Sequence, residues 1–226
     1  MRWNEAMFPG WFPAFVAVIG GYLLGSVPVA VLVAHAHGFD PRRVGDRNPG
    51  FWNMKEQLGP RAAAPVFAGD MAKGVLAGLL GSLASCGALG PPGPFGSFGA
   101  AGPAGPSGSW PLTGGTGTVA VYAAVAAAMI GHAWPVFAGF RGGRSILTFA
   151  GGFAVICPPA FLLGLVVLAV TTACARSFAI GARAAVFGLP VLQLLFTPVE
   201  QVAATGALMC LIGLRFGQAA LAERRR

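Results

Sequence analysis

The sequence predicts an all-α protein, a polytopic membrane bundle of about seven transmembrane helices with its N-terminus outside and its C-terminus in the cytoplasm. Hydrophobic residues make up 55% of the 226 residues and charged residues only 10%, whereas soluble domains carry about 25% charged residues. Apolar segments with few or no charges recur along the chain, and several reach the ~20 residues that a helix needs to cross a bilayer. Basic residues collect in alternate loops between these segments. These observations exclude an ordinary soluble domain.

The seven apolar segments follow one another without a linker that would separate two folding units, so residues 1–226 are expected to form a single membrane domain. The first segment is interpreted as an uncleaved span, because it is too long for a signal peptide. Pro158 and Pro159 divide one long apolar run into the fourth and fifth segments. A Gly/Pro-rich stretch at about 86–117 cannot form a packed core and is expected to be an extracytoplasmic loop. The segments are 11–34, 62–85, 117–134, 145–157, 159–175, 180–196 and 198–214.

Basic residues predict the orientation of the bundle. They occur in the first, third and fifth loops and at the C-terminus. The segments expected on the other side of the membrane contain only one basic residue, Arg2. Because basic residues favour the cytoplasmic side of a membrane, these loops are expected in the cytoplasm. The net charge of +8 would attract anionic lipid head groups or phosphorylated substrates there, and no nucleic-acid motif accompanies it. The residues concerned are Arg42, Arg43, Arg47, Lys55, Arg61, Arg141, Arg144, Arg176, Arg183, Arg215 and 224–226.

The four cysteines are scattered through or beside the apolar segments without a CxxC spacing. They predict small apolar packing positions and neither a metal site nor a redox site. The sequence therefore predicts no metal and no cofactor, and any chemistry has to come from the polar loops.

Two polar motifs lie in and after the first apolar segment. The tetrad Gly25-Ser26-Val27-Pro28 interrupts that segment, and its proline is expected to free a backbone carbonyl and bend the helix. The loop at 38–53 combines three arginines, spaced glycines and two asparagines, which fits an anion-binding turn. A positive-inside anchor built from turn residues explains the same loop, so both interpretations stay open.

Asp70 and Lys73 are charged residues inside the second apolar segment. Charges in a span are costly and usually face a partner or a water-filled cavity. The two residues are three apart and share a helical face, so they can pair with each other. Structural pairing and ligand binding are equally open, and Lys73 stands where it could contact a phosphate at the cytoplasmic mouth.

The segment 131–145 is the most informative part of the chain. After a stretch without any charged residue, at 74–140, two arginines bracket the pair Gly142-Gly143. A glycine pair lets backbone N–H groups turn toward an anion, and guanidinium groups add charge and a fork of donors. The segment predicts a phosphate site at the membrane surface. His132 stands just before it, either as a phosphate contact or as a helix-end histidine satisfied by backbone.

Four motifs together carry a family resemblance. They are Gly25-Ser26-Val27-Pro28, Val44-Gly45-x-x-Asn48-x-Gly50-x-x-Asn53, Asp70-x-x-Lys73-Gly74 and Gly131-His132-x-x-Pro135-x-Phe137-x-x-Phe140-x-Gly142-Gly143. They resemble the motifs of the bacterial integral-membrane glycerol-3-phosphate acyltransferases that use acyl phosphate, the PlsY type. The resemblance implies a seven-helix bundle in the bacterial cell membrane, with an active site that faces the cytoplasm. It also implies acyl phosphate and glycerol 3-phosphate as substrates, lysophosphatidic acid as product, membrane lipids as surroundings and a role in phospholipid biosynthesis.

The same resemblance implies which residues bind the two phosphates. The residues expected to act in catalysis are Ser26, near the acyl carbonyl, and Lys73, His132 and Arg144. The residues expected around the donor phosphate, together with Lys73, are Arg42 or Arg43, Gly45, Asn48, Gly50 and Asn53. The residues expected on the acceptor side, together with His132 and Arg144, are Gly142, Gly143 and Thr148. No acyl-enzyme intermediate is implied.

Departures from the family pattern keep a second function open. The family's serine and second glycine in the first loop are Asp46 and Arg47 here, and its third-loop lysine is Arg144. A carboxylate at position 46 would repel a bound dianion unless Arg47 pairs with it. The family's C-terminal His-Arg-x-Asn segment is missing, and 215–218 reads Arg-Phe-Gly-Gln instead. The alternative is a catalytically inactive relative that binds a phosphorylated lipid or metabolite in the membrane.

Overall fold

The structure, a computed structural model, describes residues 12–85 and 116–224. Throughout these residues the regular elements are helices and no strand occurs, so the all-α prediction is confirmed. The expected loop at 86–117 lies outside the described residues, apart from its last two, which begin a helix. The elements are α1 (Phe12–Ser26), α2 (Val29–Ala36), α3 (Phe51–Ser85), α4 (Thr116–Ala133), a short 3-10 turn (Val136–Ala138), α5 (Ile146–Ile156), α6 (Pro158–Ala175), α7 (Phe178–Gln193) and α8 (Val199–Arg224).

Each apolar segment of the sequence is helical over most of its length. The helices α5 and α7 are apolar but have only 11 and 16 residues, so the number of seven crossings stays a prediction. The segments long and apolar enough to cross a membrane are Phe12–Ala36, Phe51–Ser85, Thr118–Ala138, Pro158–Ala175 and Val199–Arg224.

Two helix boundaries differ from the sequence-based segments. Helix α3 begins eleven residues before the predicted segment 62–85, with a kink at Gly59, whose φ is +81°. This first part is polar on one side, but Met54 is fully buried against α2 and the rest of α3. Helix α8 likewise continues to Arg224, ten residues past its apolar part. For these two helices, hydropathy therefore located the apolar part and missed the more polar extension at one end.

The predicted interruption of the first span is present at Pro28. Helix α1 ends at Ser26 and α2 begins at Val29, where the N–H of Val29 donates to Val27 at 3.0 Å. Because proline has no N–H and its ring clashes with the preceding turn, the helical hydrogen-bond ladder is broken here. The break leaves backbone carbonyls available to another helix.

Helix α3 is central and packs against α1, α2, α4 and α5, while α6 packs on α7. A Cβ at Gly25 in α1 would collide with the carbonyl of Ala128 in α4, and a Cβ at Gly74 in α3 would collide with the carbonyl of Thr148 in α5. Such close backbone approach through small residues is the usual way in which helices associate in membranes. It fixes α1, α3, α4 and α5 tightly around the polar residues described next.

Candidate active site

The polar loops meet at one end of the bundle. Arg42, in the loop between α2 and α3, donates to the carbonyl of Ala138 at 3.2 Å. Arg215, near the end of α8, donates to the loop between α4 and α5. Lys55 of α3 lies 5.7 Å from the ring of Phe178, at the start of α7. The basic segments that the sequence assigned to one side of the membrane thus come together, and we call this end of the molecule the head.

A buried charged centre lies within the head. Asp70 Oδ1 accepts a hydrogen bond from Lys73 Nζ at 2.9 Å, and His132 Nδ1 lies 3.5 Å from the same oxygen. All three side chains are buried. Because ions are costly to bury without partners, this arrangement explains how two charges are tolerated inside an apolar helix.

Lys73 has two further partners, and both come from the break in the first span. Its ammonium group donates to the carbonyls of Val27 at 3.0 Å and Gly25 at 3.3 Å. An ammonium group has three donors, so Asp70 and these carbonyls account for all of them. The sequence left open whether Lys73 pairs with Asp70 or binds a ligand. The structure contains the Asp70–Lys73 pair, and a direct contact of Lys73 with a phosphate stays a prediction.

The N–H groups of the Gly142-Gly143 pair were expected to face an anion, but they donate to carbonyls at the end of α4. The N–H of Gly142 donates to Ala133 at 3.2 Å and that of Gly143 to His132 at 3.0 Å. The last carbonyls of a helix have no partner within it, so the glycine pair satisfies the end of α4. A Cβ at Gly142 would collide with the carbonyl of His132, which explains the glycine. In the described residues this pair forms a helix cap.

The first loop holds itself together through Asp40. Its carboxylate accepts from the backbone N–H and the Nε of Arg42, both at 2.9 Å, and from another guanidinium nitrogen of Arg42 at 3.0 Å. The hydrogen bonds from the Arg42 side chain are the largest cause that lowers the pKa of Asp40 from 3.8 to about 2. Arg43 is mostly exposed, 3.9 Å from the same carboxylate. Arg42 therefore fastens the first loop to the 3-10 turn, and phosphate contacts by either arginine stay predictions.

Asn53, in the first turn of α3, holds the same loop through hydrogen bonds to its backbone. Its Nδ2 donates to the carbonyls of Pro41 at 2.9 Å and Val44 at 3.1 Å. Gly45 packs directly on the Asn53 side chain with φ of +58°, a conformation that favours glycine. Both predicted phosphate ligands therefore hold the loop in shape, and neither lines the groove described below.

Asp46 and Arg144 pair with each other, so the cation beside this carboxylate comes from the loop between α4 and α5. An Arg144 guanidinium nitrogen lies 3.1 Å from Asp46 Oδ2, and the guanidinium lies 4.5 Å from the centre of the Phe216 ring. Two charged residues from different loops thus face each other. The Nε of Arg144 is buried and makes no hydrogen bond in the described residues, so this cation keeps one donor for another partner.

Arg215 is a functional candidate that sequence reasoning did not select. It donates to the carbonyl of Gly142 at 2.9 Å and to that of Gly143 at 3.2 Å, and its guanidinium lies 5.0 Å from the ring of Trp134. With Phe216 beneath Arg144, the end of α8 holds both the glycine pair and the arginine after it. No local pattern in the sequence indicates this role, since its signal is a contact across 72 residues.

A groove of about 150 Å³ runs from the head into the helices. Its polar end is lined by Asn48, Gly50, Asp70, His132, Arg144 and Ser145. Beyond them α3 and α5 contribute apolar residues, and the far part lies between α6 and α7, lined by Phe161, Gly164, Leu165, Leu168, Phe178, Ala182, Ala185, Val186 and Leu189. The groove is therefore amphipathic, with a cationic end and a long apolar end.

The groove separates the predicted site residues into two groups. Those that line it are Asn48, Gly50, His132 and Arg144, and those that do not are Ser26, Arg42, Arg43, Gly45, Asn53, Lys73, Gly142, Gly143 and Thr148. Ser26 and Thr148 are fully buried, and each has a hydroxyl with no hydrogen-bond partner in the described residues. Native proteins rarely leave such groups unpaired away from functional sites. Both hydroxyls lie on helices that pack directly around the charged centre.

The fold and this site define the class: a helical membrane protein with a cationic, hydrogen-bonding head above an apolar groove. A family model described as glycerol-3-phosphate acyltransferase matches residues 15–220. The chain belongs to this family, whose members are integral-membrane acyltransferases, and the resemblance seen in its motifs is confirmed.

Relatives named glycerol-3-phosphate acyltransferase agree with this assignment. One from Rubrobacter xylanophilus is 37% identical over 142 residues, which are 63% of this chain and 56% of that relative. One from Neisseria meningitidis serogroup A is 32% identical over 201 residues, 88% of each chain. This chain is also similar to the crystal structure of PlsY (YgiH), described as an integral membrane glycerol 3-phosphate acyltransferase, in its glycerol 3-phosphate form. The identity is 26% and the TM-score 0.67, covering 91% of this chain and 88% of that one.

A second structure of PlsY, in its lysophosphatidic acid form, matches with 25% identity and a TM-score of 0.63, covering 89% of this chain and 87% of that one. The two forms were solved with a phosphorylated polyol and with a phosphorylated lipid, respectively.

Proposed function

We propose that this protein transfers a fatty acyl group from acyl phosphate to the 1-hydroxyl of glycerol 3-phosphate, giving lysophosphatidic acid and inorganic phosphate. The observation that carries the proposal is the groove, because its cationic end and its apolar end match the two parts of a lipid phosphate. Membership of the family supplies the reaction class. In this proposal the reaction feeds phospholipid biosynthesis.

The chemistry needs little from the protein beyond binding. The hydroxyl oxygen of glycerol 3-phosphate attacks the acyl carbon and forms the ester bond, the bond from that carbon to the phosphate oxygen breaks, and the hydroxyl proton leaves with inorganic phosphate. An acyl phosphate is already activated, so holding two phosphates and aligning the hydroxyl with the carbonyl supplies most of the catalysis. No covalent enzyme intermediate is required.

In this reaction Arg144, which lines the polar end of the groove, binds the phosphate of glycerol 3-phosphate and helps to align the attacking hydroxyl with the acyl carbonyl. His132, held beside Asp70, presents its other face to the groove, where Asn48 and Gly50 complete the polar end. Lys73 and Asp70 give this end its shape by fixing His132 and the break in the first span. We assign the donor phosphate to the first-loop side and the acceptor to the Arg144 side.

The site faces the cytoplasm of the bacterial cell in this proposal. The support is that the basic loops, which favour the cytoplasmic side, gather at the same end as the polar part of the groove. A C-terminal alkaline phosphatase fusion should be inactive and a fluorescent protein fusion bright. The reverse result would place the groove on the other side.

A catalytically inactive relative is the second candidate, and one observation favours it. The Asp46 carboxylate already occupies part of the Arg144 guanidinium. Such a protein would bind a phosphorylated lipid or metabolite in the same groove without turning it over.

One assay separates the two candidates. Purified protein in nanodiscs is given palmitoyl phosphate, or palmitoyl-coenzyme A as a donor control, together with labelled glycerol 3-phosphate. Labelled lysophosphatidic acid formed from the acyl phosphate supports the enzyme, and Arg144→Ala should reduce it by about 100-fold. Arg61→Ala, an exposed arginine on the same side, should leave the rate unchanged. Binding of palmitoyl phosphate without product would support the inactive relative.

A further inference from the structure

We propose that Gly164 and Leu189 form the floor of the apolar groove and determine how long an acyl chain the protein accepts. The inference rests on the proposed function in one respect, since that function supplies a fatty acyl chain as the occupant. The position of the floor follows from the helices that line the groove.

The α7 residues that line the groove indicate how deep it reaches. Phe178, its first residue, packs on Trp52 in the head, with ring centres 5.6 Å apart. Ala182, Ala185 and Leu189 then line the groove in succession, at the spacing of one helical face. Leu189 is eleven residues beyond Phe178, which corresponds to about 16 Å along the helix axis. Leu189 is therefore the deepest lining residue that α7 contributes.

Helix α6 meets α7 at the same depth. It runs back toward the head, so Leu168 is nearest the head, Gly164 is deeper and Phe161, three residues from Gly164, is deeper still. A Cβ built on Gly164 would lie only 2.6 Å from Cδ2 of Leu189. The Leu189 side chain therefore packs directly on the bare backbone of Gly164, and a larger residue at position 164 would push the end of that side chain toward the groove.

A bulkier neighbour leaves the end of the Leu189 side chain little room except toward the groove. It is 3% exposed and belongs to the core cluster with Ile156, Cys157 and Ala160. Protein cores are packed too densely to absorb added methyl groups without cost. A side chain at position 164 should thus shorten the groove rather than shift its floor.

The test uses Gly164→Val and a matched control, Gly188→Val. Gly188 is also a helical glycine, next to Leu189, but a Cβ there meets nothing within 4 Å and it does not line the groove. Alkyl phosphates from octyl to octadecyl serve as probes, and their binding is read as ligand-induced thermal stabilisation in nanodiscs. Acyl phosphates of the same lengths are assayed for turnover in parallel.

We expect stabilisation of the wild type to grow with chain length up to a limit, and Gly164→Val to lower that limit while octyl phosphate still binds. Each methylene excluded should cost about fourfold in affinity and in kcat/KM. Leu189→Val should move the limit to longer chains, and Gly188→Val should behave as wild type. Gly164→Ala, a smaller change, covers the case in which the valine variant fails to fold.

Failure of the inference and failure of the proposed function give different results. If turnover occurs and the length limit is the same in all four variants, the floor is elsewhere and the inference is wrong. If the binding limit shifts without any turnover, the floor is correct and the proposed function is wrong. Absence of any binding by the wild type would overturn the inference.

Discussion

The Asp70–Lys73 pair and the Asp46–Arg144 pair use the same chemistry at different depths. Their nitrogen–oxygen distances are nearly equal, 2.9 and 3.1 Å, but the side chains of the first pair are 3% and 6% exposed and those of the second 34% and 21%. A buried pair must recover a large desolvation cost through further hydrogen bonds, and Lys73 makes two of them. An exposed pair contributes little and can exchange partners. Depth thus separates the pair that maintains the fold from the pair that can give way to a substrate.

The largest effect should come from breaking the buried pair. Asp70→Asn leaves the Lys73 ammonium buried without its counter-charge, and we expect the free energy of unfolding to fall by about 3–5 kcal/mol. Chemical unfolding of the purified protein measures this loss. The double variant Asp70→Leu with Lys73→Met removes both charges and should be more stable than Asp70→Asn. A single variant as stable as the wild type would contradict the comparison.

Removing the exposed cation should affect activity and leave stability largely intact. Arg144→Ala takes away the guanidinium that lines the groove, and we expect kcat/KM to fall by about 100-fold. The thermal midpoint should change far less than in Asp70→Asn. Because Lys would keep the charge without the fork of donors, Arg144→Lys should lie between wild type and alanine. Equal stability losses at Arg144 and Asp70 would remove the distinction between the two pairs.

Releasing Arg144 from Asp46 should have a smaller effect of the opposite sign. In Asp46→Asn the guanidinium loses its carboxylate competitor, and we expect KM for glycerol 3-phosphate to fall by roughly 1.4-fold to fivefold, in keeping with the ~0.2–1 kcal/mol of exposed pairs. Steady-state kinetics at low and high salt measure this, and the gain should shrink as salt screens the charges. A higher KM would mean that the pair positions Arg144 for the substrate.

The smallest effect is expected at the third pair, Asp40–Arg42, whose side chains are 20% and 26% exposed. The pKa of Asp40 is lowered from 3.8 to about 2, so its contribution to stability is complete above pH 3.8 and is lost as the pH falls through about 2. We expect that contribution to be about 1 kcal/mol or less, since the pair is partly exposed. The difference in unfolding midpoint between wild type and Asp40→Asn should disappear over this pH range. A difference that persists below it would mean that the aspartate acts through shape alone.

The sequence was sufficient for the helical class, and it offered the buried pair as one of two open interpretations. Apolar composition predicts helices in a membrane because backbone groups in lipid must bond within one segment. The three-residue spacing of Asp70 and Lys73 predicts their contact because it places them on one helical face. Both arguments depend only on neighbours in the chain.

Contacts between distant segments were beyond reach of the sequence. The Asp46–Arg144 pair joins two loops, and no pattern within either loop indicates the other. The groove floor could not be predicted either. In an apolar helix, a glycine or leucine that lines a groove looks the same in the sequence as one that only packs against a neighbouring helix. Anion binding by the Gly142 and Gly143 N–H groups was expected from composition, and the carbonyls at the end of α4 take those donors instead.

The contact of Arg215 with the glycine pair also has a consequence for how the protein is made. Translation proceeds from the N-terminus, so all the site residues selected from the sequence emerge from the ribosome before Arg215 does. Until α8 is synthesised and inserted, the carbonyls of Gly142 and Gly143 lack their guanidinium and Arg144 lacks the ring of Phe216. Helix α8 thus completes the head, and a nascent chain cannot assemble this site before that helix has been made.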